Sequence, residues 1–312
     1  MSSVLIFDVG GSAVKYALMN SETAEIVEKG EFPTVLGDSK KDDAAILYDN
    51  FLNALCDVFE QYKDRAEGIG FSIPGNVDSN KGHIYTSGAL WYNANHDLAD
   101  DLAKRIKERC GKDVLVALEN DGKSCALAEM WLGNLKDCAN GVVCVVGTGL
   151  GGGIMVNRQL LKGKDFFAGE LSFVIGDYNN NHFSTTSAAK CSAVMMNHHM
   201  AKAKNLETND GRVVFEYVNS RDPDVYPIFE KTMHDLACLF YNLVAIINPD
   251  KILVGGGISR QPIVVETIKE QLAQLQSDLI PIPDVEIDTC KFNNDSNLIG
   301  ALYNYNLLSG NA

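Results

Sequence analysis

A two-lobed α/β protein is the fold class that this chain of 312 residues predicts, and three observations predict it. The chain is longer than one compact core usually spans. Short apolar runs of strand length alternate with longer segments of helical spacing, as in mixed α/β layers. The order strand, Gly-rich turn, strand, then helices and further strands occurs at the start of the chain and again in the middle. Two such halves make a pair of α/β lobes facing each other across a central cleft. The boundary is expected near Leu118 to Asn120, with 1–118 plus about 293–312 as a smaller N-terminal lobe and 119–292 as a larger C-terminal lobe.

Each element follows from its local pattern. Val4 to Phe7 and Val14 to Met19 are apolar runs joined by Asp8-Val9-Gly10-Gly11-Ser12, which reads as strand, tight turn, strand. Between Asp42 and Tyr62 the apolar residues Leu47, Phe51, Leu55, Val58 and Tyr62 fall at helical spacing. Ile69 to Ile73 is a strand stopped by Pro74-Gly75, Leu98 to Ile106 a helix, and Val114 to Leu118 a buried strand. Asn120-Asp121-Gly122 opens a helix that runs to about Trp131 and stops at Gly133-Asn134. Val142 to Val146 restarts the pattern, with Gly147 to Gly153 as the turn and Ile154 to Val156 as the returning strand. Thr232 to Ile247 is a long apolar helix, more simply core than interface. Ile252 to Val254 is a strand feeding Gly255-Gly256-Gly257, and a last helix covers Leu298 to Leu307.

Composition narrows the function classes. Hydrophobic residues make up 46% and charged residues 22%, ordinary for a globular enzyme. Lys plus Arg number 27 against 41 Asp plus Glu, a net charge of -14 that repels nucleic acid at long range. A small anionic ligand is not excluded, because backbone amides and one or two Lys bind phosphate inside an acidic protein. No apolar stretch of membrane-spanning length occurs, and the start of the chain has no basic segment or cleavage site, so a cytoplasmic protein is expected. The eight Cys include no Cys-x-x-Cys pair and read as reduced, mostly buried thiols, without a structural zinc.

Four segments carry residues suited to chemistry. In the first, Gly10 and Gly11 let the backbone approach phosphate oxygens, Ser12 adds a hydroxyl and Lys15 a positive charge, while Asp8 suits Mg²⁺ or its water shell. A plain hairpin turn explains the same residues about as well. In the second, Gly147-Thr148-Gly149 with Gly151 to Gly153 is richer in Gly than turn geometry needs and reads as another phosphate cradle. It also satisfies Gly-x-Gly-x-x-Gly, but that fingerprint needs a helix directly after it, and a strand follows here. In the third, Gly255-Gly256-Gly257 leaves room for adenine or ribose, or is a flexible turn. In the fourth, Asn120-Asp121 places a carboxylate where it can accept a proton from an alcohol, and Asn120 where it can bond an adjacent hydroxyl. A helix N-cap is the routine alternative for both residues.

The order of these segments resembles the sugar kinases of the ROK family (repressor, open reading frame, kinase), within the actin-like ATPase superfamily. The resemblance covers nearly the whole chain. It includes Asp8 to Lys15, Ser72 to Gly75, Ser87-Gly88-Ala89, Glu119-Asn120-Asp121 with Ala126 and Glu129, Gly147 to Gly153, Gly163, Ala168-Gly169-Glu170 and Leu253 to Ser259. It implies the actin-like, ribonuclease H-like fold with ATP between the two Gly turns. It implies Asp121 as catalytic base, Asn120 and Glu170 on sugar hydroxyls, and Gly75, Gly88 and Ala89 shaping the sugar pocket. ATP and Mg²⁺ are the implied cofactors, a small sugar the partner, and a homodimer the assembly. Family repressors carry an N-terminal helix-turn-helix, whereas here the first strand starts at Val4, so a regulator is not expected.

Two departures matter. Most of the family follows Gly-Glu with Gly-His, whose His binds zinc and sugar; here Phe173 takes that place. The Cys-rich zinc loop is replaced by Gly176 to Ser184, and a second sugar-binding Glu expected near Ser184 is missing. His182 is left as a loop residue without ligand partners, and His198 and His199 lie on a helix. Burying the anomeric hydroxyls of free glucose unpaired costs about 1–3 kcal/mol each, so an apolar wall there suits a substituted sugar. The zinc-less branch that the chain resembles includes β-glucoside kinases and N-acetylmannosamine kinases. The Gly88-Ala89 and Ala168-Gly169-Glu170 segments lean towards the first.

Overall fold

The computed structural model describes residues 2–35, 37, 41–88, 90–180 and 182–311. In chain order its first elements are β1 (Ser3–Val9), β2 (Ala13–Asn20), β3 (Ile26–Pro33), α1 (Ala44–Tyr62), β4 (Ala66–Ile73), β5 (Asn76–Asp78), β6 (His83–Thr86), α2 (Leu98–Cys110), β7 (Leu115–Asn120) and α3 (Asp121–Trp131). The rest are β8 (Gly141–Val146), β9 (Leu150–Val156), β10 (Gln159–Leu160), α4 (Ser187–Lys190), α5 (Ala193–Ala203), α6 (Gly211–Asn219), α7 (Tyr226–Ile247), β11 (Lys251–Gly255), α8 (Pro262–Asp278), β12 (Glu286–Thr289) and α9 (Ser296–Ser309).

The chain divides into two units of nearly equal length: Met1–Trp131 with Lys162–Ala168 and Asn294–Ala312, and Leu132–Leu161 with Gly169–Asn293. The break expected near Leu118 falls inside β7. The first unit runs on through α3 because β7 is bonded to β4 and α3 packs against α9.

In the first unit the sheet order is β3-β2-β1-β4-β7. β1 is antiparallel to β2 and parallel to β4, and β4 is parallel to β7. Val4 to Phe7 are fully buried, as expected of a central strand covered on both faces. Alternation sends Leu5, Phe7 and Phe71 into one core with Phe51 and Phe59 of α1 and Leu102 of α2. Phe7 and Phe71 stack at 5.0 Å. The other face meets α9. A Cβ on Gly70 would stand 2.8 Å from Ile6 Cδ1 and 2.9 Å from the Ala301 carbonyl oxygen.

α9 also crosses α3 at close range. A Cβ on Gly300 would lie 1.7 Å from the carbonyl oxygen of Ser124. That atom is helix backbone and has no rotamer to escape into, so Gly300→Ala must push the helices apart. Overpacking of this kind costs about 1–3 kcal/mol, and a lower midpoint in thermal denaturation is expected. An unchanged midpoint would mean that the helices separate without cost.

The second unit repeats the pairing scheme. Its sheet order is β10-β9-β8-β11-β12, with β8 antiparallel to β9, and β11 parallel to both β8 and β12. The internal repeat is therefore topological. In each unit the first strand returns through a Gly-rich turn to an antiparallel neighbour and has parallel strands on its other side. Phe229, Met233, Leu236 and Phe240 of α7 fill the core with Val264 and Ile268 of α8. β9 follows the Gly147 turn directly, so no helix opens there and the dinucleotide fingerprint lacks its required partner. The helix expected at His198 and His199 is α5, whereas β3, α6, α8 and β12 are elements that the sequence patterns did not single out.

Candidate active site

In the first unit the strand ends collect the polar residues. Register sets Asp8 of β1 opposite Ser72 of β4, Ser72 opposite Glu119 of β7, and Ile73 opposite Asn120. Three parallel strands thus finish side by side at their carboxyl ends, the edge where α/β sheets bind ligands. Lys15 lies across the hairpin from Asp8. The turn between them is closed by the Gly10 N–H donating to the Ala13 carbonyl at 3.0 Å. It is braced by Thr34, whose hydroxyl donates to the Gly10 carbonyl at 2.7 Å.

Asp8 is buried, and burial pushes its carboxyl above the ordinary range. The Asn297 amide and the Lys15 ammonium oppose that shift. Asn297 Nδ2 donates to Asp8 Oδ1 at 3.0 Å from the first turn of α9. A single buried carboxylate beside a Gly turn suits Mg²⁺, which keeps several waters and takes further oxygens from phosphates. Among the described residues, no group of three or more His, Cys, Asp or Glu comes together to hold a metal ion.

Asn120 caps α3: its Oδ1 accepts the Lys123 N–H at 3.1 Å. Its Nδ2 donates to the Gly75 carbonyl at 2.9 Å and to Asp121 Oδ1 at 3.0 Å. Both amide hydrogens are therefore committed, and a sugar hydroxyl would have to donate to Oδ1. The Gly122 N–H adds a second donor to Asp121 Oδ1 at 2.8 Å, which sets the plane of this half-buried carboxylate. The cap explanation and the catalytic one are compatible, since the cap is what aims Asp121. Gly75 has φ 113°, and a Cβ there would stand 1.8 Å from the Thr86 carbonyl oxygen, so only Gly fits. Gly88 is exposed. Ala89 lies outside the described residues.

In the second unit, Gly147, Thr148 and Gly149 follow β8, while Gly255 ends its parallel neighbour β11 and Gly256 and Gly257 follow it. The Gly147 carbonyl accepts the Ala193 N–H at 3.0 Å, tying the turn to the start of α5. Ser172 bridges the turn to the next segment, donating to the Leu150 carbonyl and accepting the Leu150 N–H, each at 2.9 Å. Ser172 sits in the 3-10 turn Leu171–Phe173 that follows half-buried Glu170. Phe173, where the family His is expected, is 59% exposed, and its N–H donates to the Glu170 carbonyl. His182 caps the next short turn, with Nδ1 2.9 Å from Ser184 Oγ, and His198 and His199 are exposed on α5.

The glycines differ in what demands them. Gly256 has φ 88°, and a Cβ there would stand 2.2 Å from the Val146 carbonyl oxygen, a need internal to the fold. Gly11, Gly147 and Gly257 have no heavy atom within 4 Å of such a Cβ and no positive φ. Nothing inside the protein requires Gly at these three places.

The structure therefore gathers Asp8, Gly10, Gly11, Ser12, Lys15, Gly75, Asn120 and Asp121 in the first unit, and Gly147 to Gly149 with Gly255 to Gly257 in the second. Asn297, Thr34 and Ser172 hydrogen-bond to Asp8, Gly10 and Leu150 respectively, and the sequence patterns marked none of the three. Asn297 touches Asp8 from 289 positions away, and no local pattern marks it.

The fold is that of the actin-like ATPases, and family membership makes the protein a sugar phosphotransferase. The chain belongs to the ROK family, whose family model matches residues 4–306. It is 29% identical to a β-glucoside kinase of Klebsiella pneumoniae over 311 residues, covering 98% of this chain and 96% of that one. It is 26% identical to a β-glucoside kinase of Listeria innocua, covering 97% of each. Its fold matches a ROK family protein from Streptococcus pneumoniae, solved in complex with sucrose, with TM-score 0.84 at 21% identity over 99% of this chain and 100% of that one.

Proposed function

We propose that this sugar kinase transfers the γ-phosphate of ATP to the primary, C6 hydroxyl of a glucose-type sugar, and that the sugar is a β-glucoside. The observation that carries the reading is the Asp121 carboxylate, oriented by two donors at the strand edge that also holds Asp8 and the Gly10 turn. Asp121 orients the acceptor hydroxyl and takes its proton as transfer proceeds. The amides of the Gly10–Ser12 turn and the Lys15 ammonium hold phosphate oxygens, and Asp8 holds Mg²⁺. That ion, when bound, neutralises charge building on the phosphates. Gly147, Thr148, Gly149 and Gly255 to Gly257 bind the remainder of the nucleotide. Glu170, Asn120 Oδ1, Gly75, Gly88 and Ala89 hold the sugar.

The exposed Phe173 ring favours an acceptor with an apolar group at its anomeric carbon over free glucose. N-acetylmannosamine and glucose are the competing acceptors. A cytoplasmic homodimer is the assembly that we expect, and sedimentation at micromolar concentration tests the dimer. Among the described residues no helix is long and apolar enough to cross a membrane.

The test is ADP release with Mg-ATP across cellobiose, an aryl β-glucoside, glucose, N-acetylmannosamine and N-acetylglucosamine. The β-glucosides are expected to give kcat/KM at least about tenfold above the others, the size of one well-matched apolar group. Preference for glucose or N-acetylmannosamine would move the substrate and leave the kinase intact. No sugar-dependent turnover at all would favour a sugar-binding sensor.

A further inference from the structure

Glu119 is a charged residue with a side chain 1% exposed, one position before the Asn120-Asp121 pair. A buried carboxylate survives only if donors replace its water. Its Oε1 accepts the Asn120 N–H at 2.9 Å. Its Oε2 lies 3.3 Å from Lys162 Nζ, an ion pair rather than a well-aligned hydrogen bond. Lys162 also donates to the Ser79 hydroxyl at 2.6 Å.

Lys162 comes from a segment with an unusual course. After β10 the chain joins the first unit for Lys162–Ala168 only, then leaves at Gly169. The segment closes on itself through the Ala168 N–H donating to the Lys162 carbonyl at 3.2 Å, a small Ω-shaped strap. Phe166 inside it has φ 59°, a conformation that a bulky residue holds only when its surroundings impose it. A second fastening is Asn76 Nδ2 donating to the Asp165 carbonyl at 3.0 Å. Asn76 directly follows Gly75, whose carbonyl accepts from Asn120 at 2.9 Å. The bonds form a closed circuit: Glu119 to Lys162, along the strap to Asp165, across to Asn76 and Gly75, and back to Asn120 beside Asp121. Along the chain the strap runs straight into Gly169-Glu170.

We propose that Lys162 is a positioning residue: its ion pair with buried Glu119 bolts the strap that leads to Glu170 onto the strand that ends in Asn120, next to Asp121. Removing the bolt leaves both carboxylates in the protein but loosens their placement, and displacements near 1 Å cost about 10²-fold in rate. The proposal rests on the kinase reading for its kinetic part alone.

The experiment compares the parent with Lys162→Met, Lys162→Arg and the double variant Lys162→Met/Glu119→Gln. Lys162→Met is expected to lower kcat 10- to 100-fold and raise the sugar KM while leaving the KM for ATP within about twofold, the loss following from misplacement. Lys162→Arg is expected to recover most of kcat. The double variant removes the stranded charge, so its melting temperature should return towards the parent while kcat stays low. Amide exchange across residues 162–170, measured without any substrate, should quicken in Lys162→Met and in the double variant. Recovery of kcat together with melting temperature in the double variant would reduce the pair to a structural role and overturn the proposal, as would unchanged exchange in the strap. If the parent shows no sugar-dependent turnover, the kinase reading fails, and the exchange result alone decides on the strap.

Discussion

Asp121→Asn is expected to lower kcat by about 10²- to 10⁴-fold, the usual worth of a positioned general base. Asn keeps the shape and an oxygen able to accept from Asn120 and Gly122, which hold Asp121 Oδ1 at 3.0 and 2.8 Å. It cannot take a proton from an alcohol. The KM for ATP should stay near that of the parent, because no phosphate contact is assigned to this residue. Sugar binding, read by calorimetry in the absence of nucleotide, should persist. A kcat within tenfold of the parent would remove Asp121 from the proton transfer, and the strand edge would need another base.

Asp8→Asn is expected to lower kcat by about 10²- to 10³-fold, as loss of a preorganised electrostatic group does, while raising thermal stability at neutral pH. The sign follows from burial, which lifts the Asp8 carboxyl above its ordinary range in the folded protein. The native state then holds this proton to higher pH than the unfolded chain does. The associated stability is fully present below the ordinary carboxylate value of about 4. It is lost as pH rises through the raised value of the folded protein. A neutral Asn escapes that loss and still gives Asn297 an oxygen to donate to. The melting temperature of the variant should therefore exceed the parent's at pH 7.5, and the two should converge in acid. Addition of Mg-ATP should stabilise the parent more than the variant. A lower melting temperature for Asp8→Asn at pH 7.5 would make the carboxylate a structural group instead.

Much of the fold was legible because its signals are local. An apolar run of strand length ending in Asp-x-Gly-Gly can hardly do other than stop at a turn, and β1 stops so at Val9; β8 stops at Val146 before its own Gly run. The helix opening at Asp121 was legible from its cap, and Asn120 performs that capping through the Lys123 N–H. β3 escaped notice because none of its residues is fully buried and Glu28, Lys29, Glu31 and Pro33 give it the composition of a loop, and pairing with β2 alone makes it a strand. α8 begins at Pro262 after a short 3-10 turn, with only Val264, Thr267, Ile268 and Leu272 buried, too sparse a stripe to stand out.

The amino-acid order by itself determined the two Gly turns, the residues flanking them, the Asn120-Asp121 pair and the replacement of a family His by Phe173. All of these depend on neighbours within a few positions. Tertiary structure alone decided what those groups touch. Asn297 reaches Asp8, Lys162 reaches Glu119, and Thr34 braces Gly10. It also decided that α3 stays with the first sheet through its crossing with α9. The physical reason is range. Turn and helix preferences are settled within one or two turns of chain, whereas a buried carboxylate takes whichever donor the packed sheet brings to it, at any distance in sequence.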